Sequence, residues 1–381
     1  MADTVMVKPD LNFIRELKES GGDTLKQCYQ CATCSVICPQ SPDDRPFPRK
    51  EMIWAGWGLK DKLVSDPDIW LCHHCGDCTT YCPRGAKPGE VLGAVRKQAI
   101  QHYAPVKFFA RAVNDKSQLL KILAIPAVIL FLAALATPGL NKALPPHLMH
   151  KGAFGTFINT WLVDIIFSSA ALFALWSAFK GITNMWADMK AHSPEQPSGS
   201  LISGLKDVIV EVLAHSKFKE CDINRERATA HQLTLYAFIG LAVTTTLGFI
   251  IMYFTGEETL FGKMLFMAMK FIGNISAVAL IVGAGLLYLN RKAKDEKSGL
   301  GTYFDWGFLT VVLLVGITGL LAQIFRYMGV DNHDPNFVAK LTYFVHLMLV
   351  FYLFAYAPYS KFAHLFYRTT ALVYAKMSHR Q

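Results

Sequence analysis

The chain has 381 residues, enough for two or three domains, with 52% hydrophobic and only 18% charged residues and a net charge of +9. That balance argues for a membrane protein over a soluble one. Residues 1–105 carry 13 Lys+Arg and 13 Asp+Glu, while the remainder carries 25 and 16, so the whole excess lies in the second part. A nucleic-acid binder would place a basic stripe on a soluble domain, and none is present; an excess confined to the apolar part fits the cation bias of cytoplasmic loops.

Residues 1–8 read as a loose terminus, and Met1–Val7 is too short, and too acidic at Asp3, for a signal peptide. Asp10–Leu17 predicts a short amphipathic helix with Leu11, Ile14 and Leu17 inward, stopped at Gly21 and Gly22. Two cysteine runs follow. Cys28, Cys31, Cys34 and Cys38 precede Pro39, and Cys72, Cys75, Cys78 and Cys82 precede Pro83. Both read C-x2-C-x2-C-x3-C-P, the bacterial-ferredoxin spacing for a [4Fe–4S] cluster, in which the fourth cysteine of each run serves the other cluster. One cluster is therefore assigned to Cys28, Cys31, Cys34 and Cys82, and the other to Cys72, Cys75, Cys78 and Cys38. Zinc ribbons use pairs of CxxC, and a disulfide framework needs a secreted chain. Neither fits.

Between the runs, Glu51–Leu63 reads as one helix with Ile53, Trp54, Trp57 and Leu63 able to cover a cluster. Pro88–Tyr103 predicts a closing helix with Val91, Leu92, Val95, Ala99 and Ile100 on one face, and the globular part ends near Pro105. Val106–Lys121 is basic and amphipathic, fit to lie along a membrane surface or to serve as a solvated linker. The expected fold class is mainly α: a ferredoxin-like two-cluster domain (1–105), a linker (106–118) and a six-span bundle (119–381). The spans, each near the ~20 residues a bilayer needs, are 119–136, 157–179, 233–254, 264–289, 304–325 and 337–356. Cations concentrate in 180–230, in 291–297 and in the C-terminal tail, which places both termini and the cluster domain on the cytoplasmic side of the inner membrane.

Ionisable groups at membrane depth are functional candidates. His346 and His364 are eighteen residues apart, so an unbroken helix would put both on one face, about 27 Å apart along its axis, while Pro358 between them is able to bend it and spoil the register. His231 opens the third span on the same side as His364, so a haem iron between His231 and His364 is expected there. Interfacial histidines that merely cap helices are the plainer alternative. A second haem on His346 has its partner among His150, His147 and His333, or none. His215 is a further cytoplasmic-side alternative, and Cys221 reads as a spare thiol. Lys270, Asn274 and Asp164 are candidate contacts to a haem propionate or a quinone carbonyl, with helix–helix polar contact equally consistent. No GxGxxG or Walker-type GK[ST] occurs, so flavin or nucleotide belongs to a partner.

At Gln27–Ser35, Trp70–Cys78 and Tyr81–Gly85, with Pro48–Lys50 and Asp66–Trp70 between, the chain resembles the iron–sulfur C subunit of heterodisulfide reductase, though Ala32 stands where that family has glycine. Val345–Leu349 and Pro358–Leu365 resemble the cytochrome b subunit of heterodisulfide reductase and the gamma subunit of respiratory nitrate reductase. There the resemblance implies that His346 and His364 ligate haem and that His231 is the partner-helix ligand, while that helix's other family histidine falls near Leu241. The fusion of both halves is similar to the C subunits of the quinone-interacting membrane-bound oxidoreductase family. That resemblance implies a subunit of a quinone-linked oxidoreductase that takes electrons from menaquinol. It also implies flavoprotein partners like the A subunit of heterodisulfide reductase, and adenylylsulfate reductase downstream in sulfate respiration. The twin-cysteine motif of disulfide-cleaving subunits is absent. Two alternatives remain: a membrane subunit of another heterodisulfide-reductase-like or sulfite-reduction-linked complex, and a structural anchor with non-catalytic cofactors.

Overall fold

The computed structural model describes residues 8–143, 154–256, 258–293, 301–328 and 336–380. The chain is 78% helical, and no strand occurs among the described residues. Its N-terminal part contains α1 (Leu11–Leu17), α2 (Thr33–Val36), α3 (Arg49–Trp57), α4 (Lys60–Val64), α5 (Asp68–Leu71), α6 (Asp77–Thr80) and α7 (Pro88–Tyr103). Helix α1 starts where the Asp10 carboxylate accepts the Phe13 N–H at 2.9 Å. It buries Phe13 and Leu17, four apart, and leaves Leu11 75% exposed, so its inward face is rotated from the one expected. The helix expected over Glu51–Leu63 is two helices. Gly58, at φ +70°, caps α3 in the left-handed region, and a Cβ there would meet the Asp10 carbonyl oxygen at 2.8 Å. Trp57, just before it, faces solvent. Helix α7 opens on Pro88 and buries Val91, Leu92, Val95, Ala99 and Ile100, the face its periodicity predicts.

The rest of the chain forms α8 (Lys107–Ala112), α9 (Leu119–Ala143), α10 (Thr160–His192), α11 (Leu201–Ala214), α12 (Arg227–Ile250), α13 (Leu260–Lys292), α14 (Tyr303–Met328), α15 (Phe337–Ala355) and α16 (His364–Met377). Six of these helices, α9, α10, α12, α13, α14 and α15, are long and apolar enough to cross a membrane. Large apolar side chains such as Leu172, Phe179 and Phe271 cover their outer faces, as a lipid-facing surface requires. Helix α8, in the expected linker, packs inward: Phe109 meets Tyr356 at 5.4 Å and Tyr359 at 5.6 Å between ring centres.

The break falls at the bend anticipated for Pro358, and the unbroken helix that would carry both His346 and His364 does not form. Helix α15 stops at Ala355, Pro358 brings no N–H, and two 3-10 turns, Ala357–Tyr359 and Lys361–Ala363, carry the chain into α16. His346 and His364 therefore sit on different helices, and the same-face argument for them fails. Beyond the break, the chain joins the cluster domain. Tyr367 of α16 stacks on Trp70 at 5.5 Å, and Met185, Met189 and Tyr374 belong to one continuous core with Phe13, Leu63 and Val95. The inner ends of α10 and α16 thus complete the hydrophobic interior of the N-terminal part.

Candidate functional site

The two cysteine runs fold alike. In each, the second residue after the first cysteine has a left-handed backbone, Gln30 at φ +67° and His74 at φ +54°, as does the residue after the second cysteine, Ala32 at φ +69° and Gly76 at φ +97°. These reversals wind the loop and start α2 and α6. Burial, and then the neighbouring Cys28, Cys31 and Cys82, push the Cys34 thiol up to about 12. Burial, and then Cys72 and Cys75, push Cys38 up to about 12, and burial with Cys72, Cys75 and Cys38 raises Cys78. Cys38 lines one small pocket together with Cys72, Cys75 and Cys78, and Cys82 lies close enough to Cys34 to raise its thiol. Buried thiols such as Cys34, Cys38 and Cys78 are poorly accommodated as free thiolates and well accommodated by iron, and with the spacing of the two runs the donor set fits two clusters. Loop donors already face the sulfurs: the Ala86 N–H points at Cys82 Sγ and the His74 N–H at Cys72 Sγ, both 3.3 Å away. All nine cysteines are free.

The two thiol sets differ in access. Cys31 is exposed, beside the exposed Tyr29 and Val36, whereas Cys72, Cys75 and Cys78 are buried against the membrane half. Three residues of that half grip the second run: Arg368 donates to the Cys72 carbonyl at 2.9 Å, Arg227 to the His74 carbonyl at 2.8 Å, and Asn224 to the Cys75 carbonyl. Arg96 of α7 adds a bond to the Cys72 carbonyl at 2.8 Å.

Beside that run lies a cavity of about 250 Å³, lined by Cys72, His215, His231 and His364. The rings of His231 and His364 lie with their planes at 72° and their centres 6.2 Å apart. A metal held about 2 Å from one nitrogen of each of two imidazoles separates ring centres by roughly 6 Å. The hydrogen bonds leave the required nitrogens free. His364 Nδ1 donates to the Lys361 carbonyl at 2.7 Å, and His231 Nδ1 lies 2.9 Å from His215 Nε2, so each Nε2 keeps its lone pair for a ligand. Burial pushes the His364 imidazole down to about 4, which keeps it in the neutral, metal-binding form. Seven cations against three carboxylates line the cavity, and the buried Trp70 Nε1 on its wall has no hydrogen-bond partner. Arg291 Nη1, 3.5 Å from the Asp305 carboxylate, makes no hydrogen bond either. Surplus positive charge with unused donors suits a group carrying carboxylates, as haem does with its propionates.

His346 stands apart from this site. Its Nδ1 lies 3.1 Å from Thr318 Oγ1, and a Cβ on Gly319 would meet its ring at 2.9 Å. The partners expected for it, His147, His150 and His333, lie outside the described residues. Asp164 accepts the Tyr253 hydroxyl at 2.5 Å, and Lys270 lies 3.2 Å from the Tyr327 hydroxyl, so these two candidates have separate tyrosine partners. Asn274 is half-buried on α13. The arginines that grip the second run, Arg227 and Arg368, carry no signal in the sequence because they come from more than 140 positions away in the chain. His215 carries one, a spacing of sixteen residues before His231, but only the fold brings them together.

Fold and thiol geometry define a helical membrane-type protein with an iron–sulfur electron-transfer domain. Residues 24–86 match the family described as the 4Fe-4S dicluster domain. The chain is 27% identical to citrate utilization protein B of Escherichia coli over 322 residues, 80% of each chain. It is 40% identical to the C subunit of the H(2):CoB-CoM heterodisulfide,ferredoxin reductase of Methanothermobacter marburgensis over 91 residues, 24% of this chain and 49% of that one. A protein of Archaeoglobus profundus described as like the C subunit of heterodisulfide reductase is 39% identical over 89 residues, 23% of this chain and 47% of that one. The chain thus spans about half the length of these C-subunit relatives, in its N-terminal part, and most of the length of citrate utilization protein B. No solved structure matches.

Proposed function

We propose that this chain is the membrane subunit of a quinone-linked oxidoreductase, joining a quinol site in the bilayer to a soluble partner. In this reading residues 1–105 form the two-cluster domain, 106–118 the connection, and 119–381 a cytochrome b-type bundle, with the clusters and both termini cytoplasmic. Cys28, Cys31, Cys34 and Cys82 hold one cluster, and Cys72, Cys75, Cys78 and Cys38 the other. His231 and His364 hold a haem b, and His346 serves a second. When bound, these groups supply single-electron transfer between menaquinol and the partner.

The observation that carries the reading is the shared wall: one cavity is lined by His231, His364 and Cys72, and the same Arg368 that lines it holds the Cys72 carbonyl. The residues of this chain act by position. Lys361 and His215 orient the two imidazoles, and Arg227, Arg368 and Asn224 lock the second thiol loop against them. The exposed Cys31 marks the opposite end, where a soluble protein has access to the first thiol set. Asp164, Lys270 and Asn274 are proposed as quinone or propionate contacts.

The partner we favour is a flavoprotein like the A subunit of heterodisulfide reductase, with adenylylsulfate reductase downstream. The N-terminal likeness to heterodisulfide reductase C subunits, and the six long apolar helices that follow it in the same chain, support this. The likeness to citrate utilization protein B extends over both halves and favours a second reading, in which the soluble partner serves citrate utilisation. Affinity capture from native membranes separates the two by the partner recovered. The test of the site is the reduced-minus-oxidised spectrum of the purified protein. His231→Ala and His364→Ala are expected to remove the same b-type component and His346→Ala a different one. Absence of b-type bands in the unaltered protein would overturn the proposal, and loss of one shared signal in all three variants would reduce it to a single haem.

A further inference from the structure

Between α11 and α12 the chain runs for a dozen residues that belong to neither membrane span nor cluster loop, yet it touches both. His215 caps α11 with a left-handed backbone, φ +53°, a conformation that crowds the Cβ of any residue but glycine. Such strain persists only where the surroundings enforce it, and it marks positions with a role. Here it brings His215 Nε2 to 2.9 Å from His231 Nδ1. Three residues on, Phe218 stacks over the His231 ring at 5.9 Å and meets the edge of His73 at 5.2 Å, filling the space between imidazole and thiol loop. Three residues further, Cys221 is 1% exposed, and its sulfur lies within 4.8 Å of both Cys75 Sγ and the Asp77 carboxylate. The segment is pinned at its far end as well. The Asp222 and Ile223 N–H groups donate to the Asp77 carboxylate at 3.1 and 3.0 Å, and Gln40 donates to the Lys217 carbonyl at 3.1 Å.

We infer that His215–Asn224 is a strap that sets the electronic state of both metal sites, with His215 as positioning residue for His231 and Cys221 as hydrogen-bond donor to Cys75. It rests on the haem reading for its first half only. The chemistry fixes the direction at each end. An iron bound at His231 Nε2 leaves a proton on Nδ1, which donates to His215 Nε2. That bond makes the imidazole a stronger electron donor, which favours oxidised iron. At the other end a cluster-bound Cys75 is a thiolate that can only accept, so the Cys221 S–H donates. A donor to a cluster sulfur favours the reduced, more negative cluster.

The test is a redox titration of the purified full-length protein, with haem followed by absorbance and clusters by electron paramagnetic resonance. His215→Phe removes the acceptor and is expected to raise the potential of the component that His231→Ala abolishes, leaving the clusters unchanged. His215→Gln retains an acceptor and is expected to restore most of the shift. Cys221→Ala is expected to lower the potential of one cluster and leave the haem unchanged, while Cys221→Ser, which keeps a donor, returns it part of the way. Opposite shifts, each confined to its own site and each reduced by the conservative variant, support the strap. Unshifted titrations, or equal shifts from the conservative and the disruptive variant, overturn it. A protein that binds no haem would remove the preceding proposal, and the Cys221 arm would still decide its own half of this one.

Discussion

Ala32 and Gly76 occupy the same place in the two cysteine loops, both with positive φ, yet one carries a methyl group. In the left-handed region that methyl crowds the backbone, so Ala32→Gly is expected to stabilise the protein by about 1 kcal/mol without loss of either cluster. Thermal melts with iron analysis check it, and an unchanged or lower midpoint contradicts it. A second residue-scale consequence concerns Glu51. It is fully buried beside Lys50, at 3.3 Å, and burial raises its carboxyl from the ordinary 4.5 to about 8. Asp68 is raised in the same sense, from 3.8 to about 6. The folded chain therefore keeps protons that the unfolded chain releases, and stability falls as pH rises through these windows, by up to about 1.4 kcal/mol per unit for each group. Glu51→Gln removes its share while Lys50 keeps Asp66 and Asp68, at 2.6 and 2.7 Å. Melts at pH 5 and pH 8 are expected to show a smaller loss in the variant, and an undiminished loss contradicts the assignment.

At the scale of elements, the break after α15 has the widest consequences. Asn114, at the end of α8, donates to the Ala110 carbonyl at 2.6 Å and the Tyr359 carbonyl at 2.8 Å, tying the first connection to the break. Asn114→Ala leaves these buried carbonyls without that donor and is expected to cost about 1–3 kcal/mol, read as a lower melting midpoint. Periodicity and apolar length disclose α7 and the six long helices, since both signals are local to each segment. The break at Gly58 is harder to read, and Pro358 announces a bend but not the full change of direction. Each lies inside an apolar pattern that continues helically on both sides, and the deciding contacts are tertiary: Gly58 must pass the Asp10 carbonyl, and the turns at Pro358 must let α16 reach Trp70. The thiol sets are legible because cysteine spacing is a local property. The pairing of His215 with His231, and of Cys221 with Cys75, depends on how α11 and α12 pack, and no spacing rule encodes it.

At the scale of the whole molecule, the boundary drawn in the sequence near Pro105 is not a boundary in packing. Arg380, near the C-terminus, is buried against Asp68, and Tyr367 of α16 stacks on Trp70 at 5.5 Å, so the last helix closes the cluster domain from the membrane side. Such a continuous core holds the second thiol loop and the His231–His364 pair in fixed relation, as a path for electrons between them requires. The first thiol set, with Cys31 at the surface, is left facing outward. The central claim is that the membrane half feeds the clusters through that pair of histidines. The direct measurement is anaerobic mixing of a menaquinol analogue with the purified protein, with the reduced-cluster signal followed by electron paramagnetic resonance. Quinol-dependent reduction of the clusters is predicted in the unaltered protein, with its loss in His231→Ala and His364→Ala variants that retain both clusters. Reduction at the unaltered rate in those variants would contradict the claim, as would clusters that quinol leaves oxidised.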